Sequence, residues 1–385
     1  MSDSSEVASH FQGFLENYWD LIAGAVFAVI AFILHKTDQI YLSTLFAGLS
    51  IAAFSFTVSE IAEILADRLQ EPYASFVLTF SAVIVEILLL FMILLESNHG
   101  TDALETVKGG IISTVIVDMN VLLGIAVFIG GLRFKEQEHN EDTSSTYTTI
   151  LLVASVALLV PSLLQYSKGS NESIMTASYI IAFLLMVYYV AIFIFQTKTH
   201  IHFFKATARS RIFRLRRKNA NKDEESEEDY IFEKLPNIGN FFVIFGLIFT
   251  IGIIAEIFAS DGMQIAKTYG ISPALAGLVI AIISVSPELF TAVKAAKSDQ
   301  IQRVVNIAMG ASTVSILLTV PILMVLAPLA GINLTLDFNS LQIGALILTV
   351  ILAWKTTDNG ETNYVEGISH LMFFLAYAVI AAFYH

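Results

Sequence analysis

Cysteine is absent from the 385 residues. That excludes a disulfide framework, a thiolate metal site and a cysteine nucleophile. Charge is scarce too: Asp, Glu, Lys and Arg make up only 14% of the chain, where a soluble domain carries about a quarter. A basic excess is also missing. The net charge is −13, and the acidic surplus lies in tails and loops, so no nucleic-acid partner is expected. No HExxH motif, no GxGD-like segment and no paired Asp residues within apolar runs are found, which argues against an intramembrane hydrolase. What is abundant is apolar sequence. Hydrophobic residues make up 56% of the chain, and they arrive in long runs. The fold class is therefore an all-α polytopic membrane protein whose surroundings are the lipid bilayer.

A membrane span needs about 20 mostly apolar residues. Eleven transmembrane helices are read at 19–35, 42–66, 73–95, 108–131, 148–166, 174–195, 238–260, 273–293, 303–329, 340–354 and 366–384. The acidic N-terminus lacks a basic n-region, so the first span is expected to stay as an anchor. Lys and Arg set the orientation. With the N-terminus inside, Arg68, Arg133, Lys135, the basic cluster of 196–237, Lys294, Lys297, Arg303 and Lys355 are cytoplasmic. Only Lys36, Lys108, Lys168 and Lys267 lie outside, as the positive-inside rule asks. The Asn-x-Ser/Thr sites at Asn171 and Asn333 then fall on outer loops. The expected location is a multi-pass position in the plasma membrane. The acidic run 223–229 reads as a solvated topology feature.

The chain divides at that charged loop. Residues 1–39 hold the tail and first helix, 40–195 a first unit of five helices, 196–237 the loop, and 238–385 a second unit of five. An odd number of spans per unit means that the two units insert in opposite orientation, which is the inverted-repeat plan of many secondary transporters. Two matches support it. "SEIAEILAD" (59–67) resembles "GIIAEIFASD" (252–261), and a glutamate follows a proline at similar spacing in each half: Glu86 after Pro72 and Glu288 after Pro273.

A charged carboxylate at a helix centre costs about 2.5–3.5 kcal/mol on insertion scales. Such a residue faces a cavity or a partner. Glu86 and Glu288 are therefore the expected cation- and proton-binding pair, meeting near the bilayer midplane. Pro287 removes a backbone donor directly before Glu288, so a helix break is expected there, with Ser284 and Ser286 as hard oxygen donors beside freed carbonyls. The following span of the second half adds Asn306, Ser312, Thr313 and Ser315. Its counterpart adds Ser113, Thr114, Asp118 and Asn120, with Thr114 and Asp118 on one face. Of these, Ser312, Ser315, Asp118, Asn120 and Thr114 are candidate cation helpers. Gly109, Gly110 and Gly310 would let helices approach closely. Glu60, Glu63 and Glu256, nearer span ends, are candidates for a proton path.

The stretch "ISVSPELFTAVKAAKSDQIQRVVNIAMGASTVSILLTV" resembles the alpha repeat of the calcium/cation antiporter superfamily. The matching pieces are Ser286-Pro287-Glu288 and Gly310-Ala311-Ser312-Thr313. "LTFSAVIVEILLLFMIL", with Glu86, looks like the partner repeat. "LQEPYASFVLTFSAVIVEI" and "AVKAAKSDQIQRVVNIAMGAS" carry a closer likeness to bacterial calcium/proton antiporters of the ChaA type. The resemblance covers spans two to eleven. It implies an inverted five-plus-five fold, cation binding by Glu86 and Glu288, and exchange for protons. Ala311 departs from the usual Gly-Ser-Asn, and "STVIVDMN" takes the place of that motif in the first half.

The expected activity is that of a secondary antiporter, not an enzyme. Two ionised carboxylates facing one cavity repel, and either two protons or one Ca²⁺ neutralises both. Occupancy by one excludes the other. No cofactor is expected, only the transported Ca²⁺, or Na⁺ or K⁺, and H⁺. A sodium/calcium exchanger of the same fold is the alternative. It would need separate Na⁺ sites, and the sparser oxygen motifs of the first half favour protons. A membrane receptor or scaffold is the remote alternative, and it leaves the repeated carboxylates unexplained.

Overall fold

The computed structural model describes residues 2–69, 73–99, 102–200 and 230–383. The acidic run 223–229 and the basic cluster before it lie outside the described residues. Helix α1 (Ser2–Lys36) bends at Tyr18, where φ is −125° and ψ 18°. Then come α2 (Ile40–Arg68) and α3 (Tyr73–Leu95). Helix α4 (Asp102–Ile116) continues through a π turn at Val117–Leu122 into α5 (Leu123–Phe134). A short strand, β1 (Glu136–Glu138), leads to α6 (Glu141–Tyr166) and α7 (Asn171–Ile194).

Past the charged loop stand a single turn at Ile231–Lys234, α8 (Asn237–Tyr269) and α9 (Pro273–Ala296). Helix α10 (Ile301–Val314) again runs through a π turn, Ser315–Thr319, into α11 (Val320–Leu329). Helix α12 (Ser340–Thr357), strand β2 (Glu361–Asn363) and α13 (Tyr364–Phe383) complete the described chain. Among the described residues ten helical stretches are long and apolar enough to cross a membrane, and Phe80–Leu95 is a shorter apolar helix inside α3. All eleven expected segments are helical, several extended by polar turns at their ends.

The loops sort onto two faces. On one, β1 pairs antiparallel with β2 in the register Gln137↔Thr362. There Gln137 Nε2 donates to Ala296 O (3.1 Å) and Asp299 Oδ1 (3.0 Å), and Ser144 donates to Thr357 O (2.8 Å). Arg68, Arg133 and Lys355 close the helices that lead into this set of loops, and Lys297 and Arg303 lie in or next to the loop that Gln137 bonds, so this is the basic face. On the opposite face Lys108 pairs with Asp337 (2.8 Å), and Tyr41 donates to Tyr269 (2.6 Å). Alternate loops meeting on alternate faces is the pattern expected of successive helices that each cross a membrane.

Packing is inside out relative to a soluble protein only at the surface. The interior is filled by Ile51, Ile61, Leu65, Leu89, Leu90, Ile93, Leu94, Ile112 and Ile116. The outward stripe of α8 is equally apolar, with Phe242, Phe245, Phe249 and Ile253 exposed at helical spacing, as a lipid-facing surface demands. One close crossing joins the halves. A Cβ on Gly277 of α9 would collide with the backbone of Gly109 and Gly110 of α4. Small residues there let the two backbones touch.

Candidate functional site

Three carboxylates come together in the interior: Glu86 on α3, Asp118 in the first π turn, and Glu288 on α9. Asp118 lies within electrostatic range of both glutamates, and the glutamates within range of each other. Glu86 is buried. Its Oε2 accepts hydrogen bonds from Ser315 Oγ (2.8 Å) and Thr319 Oγ1 (3.1 Å), two hydroxyls that the second π turn brings to one side. Thr114 lies beside the same carboxylate, although its hydroxyl also donates to Gly110 O (3.1 Å). Asp118 is fully buried, and its Oδ2 accepts from Ser312 Oγ (3.0 Å).

The remaining oxygens, Glu86 Oε1 and Asp118 Oδ1, are buried and have no protein partner. Glu288 is half-buried and makes no hydrogen bond to a described residue. Buried carboxylate oxygens without partners are expensive, and a proton or a cation at each relieves the cost. Among the described residues no three His, Asp or Glu side chains are placed to hold a metal ion. A cation here would draw on hydroxyl and carbonyl oxygens as well, a hard donor set suited to Ca²⁺.

Pro287 does not break its helix. α9 is continuous from Pro273 to Ala296. The carbonyl that Pro287 deprives of a donor is that of Ile283, and Ser286 Oγ donates to it (2.8 Å). Ser284 likewise donates to Ala281 O (3.0 Å). Ser286 thus supplies the bond that Pro287 withholds, and both hydroxyls donate to their own helix rather than to the carboxylates. The irregular backbone lies one span later in each half. Leu123 N–H reaches back five residues to Asp118 O, and Val320 N–H reaches to Ser315 O. Such π turns recur at functional sites, and here both carry site side chains.

Asn120 also departs from expectation. It turns away from the carboxylates and donates to Ile116 O and Thr349. Ser113 faces Tyr377 (3.3 Å), and Gly310 faces the Tyr147 hydroxyl of α6 rather than another helix's backbone. Of the proposed proton-path residues, Glu60 accepts from Tyr230 (2.9 Å) and Glu63 pairs with Arg303, both toward the basic face. Glu256 is exposed on the outward stripe of α8. None of the three is bonded to the carboxylate cluster. Thr319 was not singled out by sequence. Its spacing of four from Ser315, just before Val320-Pro321, was the available signal.

Comparison with known proteins bears on family and fold. The chain is 26% identical over 338 residues to the sodium-potassium/proton antiporter ChaA of Escherichia coli K12, covering 86% of this chain and 87% of the relative. It is 27% identical over 289 residues to a Ca²⁺/H⁺ antiporter of Synechocystis, covering 73% and 76%. The solved structure of native YfkE superposes with a TM-score of 0.76 at 18% identity, over 94% of this chain and 99% of that one. The sodium/calcium exchanger protein family matches residues 39–198 and 239–383. Those two matched segments flank the charged loop and carry one site glutamate each, and on that match the chain belongs to the sodium/calcium exchanger protein family.

Proposed function

We propose that the protein exchanges Ca²⁺ for H⁺, with Glu86 and Glu288 as the groups for which the two compete. The observation that carries this reading is that a carboxylate from each half, Glu86 and Glu288, and Asp118 lie within electrostatic range of one another, with hydroxyls of Ser312, Ser315 and Thr319 donating to Asp118 and Glu86. Two negative charges in a medium of low dielectric repel strongly. Two protons or one divalent cation remove that repulsion equally well. A site that must hold one or the other, and not both, couples their movements without a further device. The carboxylates titrate as a unit rather than as separate groups.

The halves 40–195 and 238–385 act as inverted units in this scheme, and rocking of one helix set against the other exposes the site to each side in turn. Each half supplies a glutamate helix followed by a helix with a π turn, which supports that division. The basic face is assigned to the cytoplasm of a plasma membrane. Na⁺ and K⁺ are the second candidates, because they are named for the E. coli relative. Sodium/calcium exchange is the reading to fall back on if protons do not move.

The test uses proteoliposomes with a trapped pH dye. A proton gradient is imposed, and Ca²⁺, Na⁺ or K⁺ is added alone. Ca²⁺-driven proton movement that is lost in Glu86→Gln supports the proposal. Absence of proton movement with every cation refutes it, and sodium-driven Ca²⁺ uptake would then be measured.

A further inference from the structure

The first π turn is held from behind. Asn120 and Asp118 are two residues apart on it and point to opposite sides. Asn120 is fully buried, and every polar atom of its amide is engaged. Nδ2 donates to Ile116 O (3.1 Å), the residue directly before the π turn, and to Thr349 Oγ1 on α12 (2.9 Å). Oδ1 lies 3.0 Å from His370 Nδ1 on α13. An amide oxygen only accepts, so this contact places the proton of neutral His370 on Nδ1. Nε2 then accepts from Thr356 Oγ1 at 3.0 Å. His370 is itself fully buried, and its Cβ packs against Gly124, just beyond the π turn.

We infer that His370 is a positioning residue for the cation site: through Asn120 it holds the Val117–Leu122 π turn in the geometry that aims Asp118 at Ser312 and the two glutamates. The inference rests on the proposed reading of Asp118 as part of that site. A π turn is a local excess of backbone that can relax toward a regular helix or shift by a residue. Either change would swing Asp118 out of the cluster. Neutral apolar neighbours could not oppose it directionally, whereas hydrogen bonds from two other helices do. The second π turn has no such anchor, because its polar residues, Ser315 and Thr319, point inward to Glu86. The device is therefore specific to the half whose turn carries a carboxylate. Partners one shell out from a metal ligand commonly change affinity about 10- to 100-fold when removed.

The experiment compares wild type, His370→Leu, His370→Gln and Thr349→Val. Gln can still donate to Asn120; Leu cannot. Two readouts are taken. The first is Ca²⁺-driven proton flux in proteoliposomes against Ca²⁺ concentration at several pH values. His370→Leu is expected to raise half-saturating Ca²⁺ about tenfold or more, while His370→Gln stays near wild type. The maximal rate and the pH profile at saturating Ca²⁺ are expected to stay unchanged. The second readout is amide hydrogen exchange of residues 117–122 in purified protein, which is expected to quicken in His370→Leu and not in His370→Gln. If His370→Leu does not fold, Thr349→Val removes one anchor only and should show both effects in weaker form. Unchanged half-saturation in an active variant overturns the inference. So does a shifted pH profile at unchanged half-saturation, which would make His370 a proton carrier. A wild type that moves no protons sinks the antiport reading, and the hydrogen-exchange result still decides whether His370 holds the turn.

Discussion

Ser315 Oγ donates to Glu86 Oε2 across 2.8 Å of space and 229 residues of chain. The bond ties the carboxylate of one half to the π turn of the other. With Thr319 at 3.1 Å it gives Glu86 two donors on one oxygen and leaves the second without a hydrogen-bond partner. The cross-half bonds mean that the surroundings of Glu86 are built from both halves.

The carboxylates come first. Glu86→Gln and Glu288→Gln are each expected to abolish Ca²⁺-driven proton flux while the protein elutes as a folded species with unchanged or higher thermal stability. Removing an unpaired buried charge relieves a cost rather than breaking a contact. Wild-type flux in either variant would refute the assignment.

The hydroxyl cradle should act on affinity. Hydrogen bonds to a charged oxygen contribute about 1.5–3 kcal/mol, so Ser315→Ala combined with Thr319→Val is expected to raise half-saturating Ca²⁺ about tenfold or more. Titrating flux against Ca²⁺ checks it. A large fall in maximal rate at unchanged half-saturation would instead give these hydroxyls a role in the conformational step.

Close approach of α4 and α9 should be intolerant of bulk. Gly277→Leu places a side chain where the Gly109–Gly110 backbone stands. The expected outcome is failure to accumulate as folded protein, or a clear fall in thermal stability for Gly277→Ala. Normal stability in both would show that the crossing can open without cost.

The Lys108–Asp337 pair tests the face opposite the basic one. The Lys108 side chain is 3% exposed and that of Asp337 15%. Breaking a buried pair from one side typically costs about 3–5 kcal/mol. Lys108→Met should therefore destabilise strongly, and Lys108→Met with Asp337→Leu should recover much of the loss. Thermal unfolding in detergent measures both.

His139, in the turn between β1 and α6, offers a pH test. Burial lowers its pKa from 6.5 to about 4, and neither ring nitrogen has a hydrogen-bond partner. A histidine with a depressed native pKa binds fewer protons folded than unfolded between those values. Its contribution to stability is therefore present above pH 6.5 and lost as pH falls toward 4, about 3 kcal/mol in all. His139→Leu should flatten that part of the stability-against-pH curve relative to wild type. Parallel curves would mean that water reaches the ring.

Much of this protein was legible without coordinates. The eleven helical segments followed from apolar run length, because an unpaired peptide group in lipid is too costly for any other open-chain structure to span it. Glu86 and Glu288 stood out for the same kind of reason, since a charge inside an apolar run has no solvent to fall back on. Even Asp118 was visible as a residue type.

Direction was not legible. Pro287 signalled a break, yet the Ser286 hydroxyl supplies the hydrogen bond that the proline withholds from Ile283 O, and the helix continues. The irregular turns formed instead at 117–122 and 315–319. Asp118 and Asn120, two residues apart and alike in polarity, face opposite ways. One joins the carboxylates, and the other joins His370, 250 residues distant. The sequence by itself determined which residues cross the membrane and which buried charges need a partner, because both depend on the local cost of polarity in an apolar solvent. Only the tertiary structure decided which partner each polar group meets, because that depends on how helices far apart in the chain pack against one another.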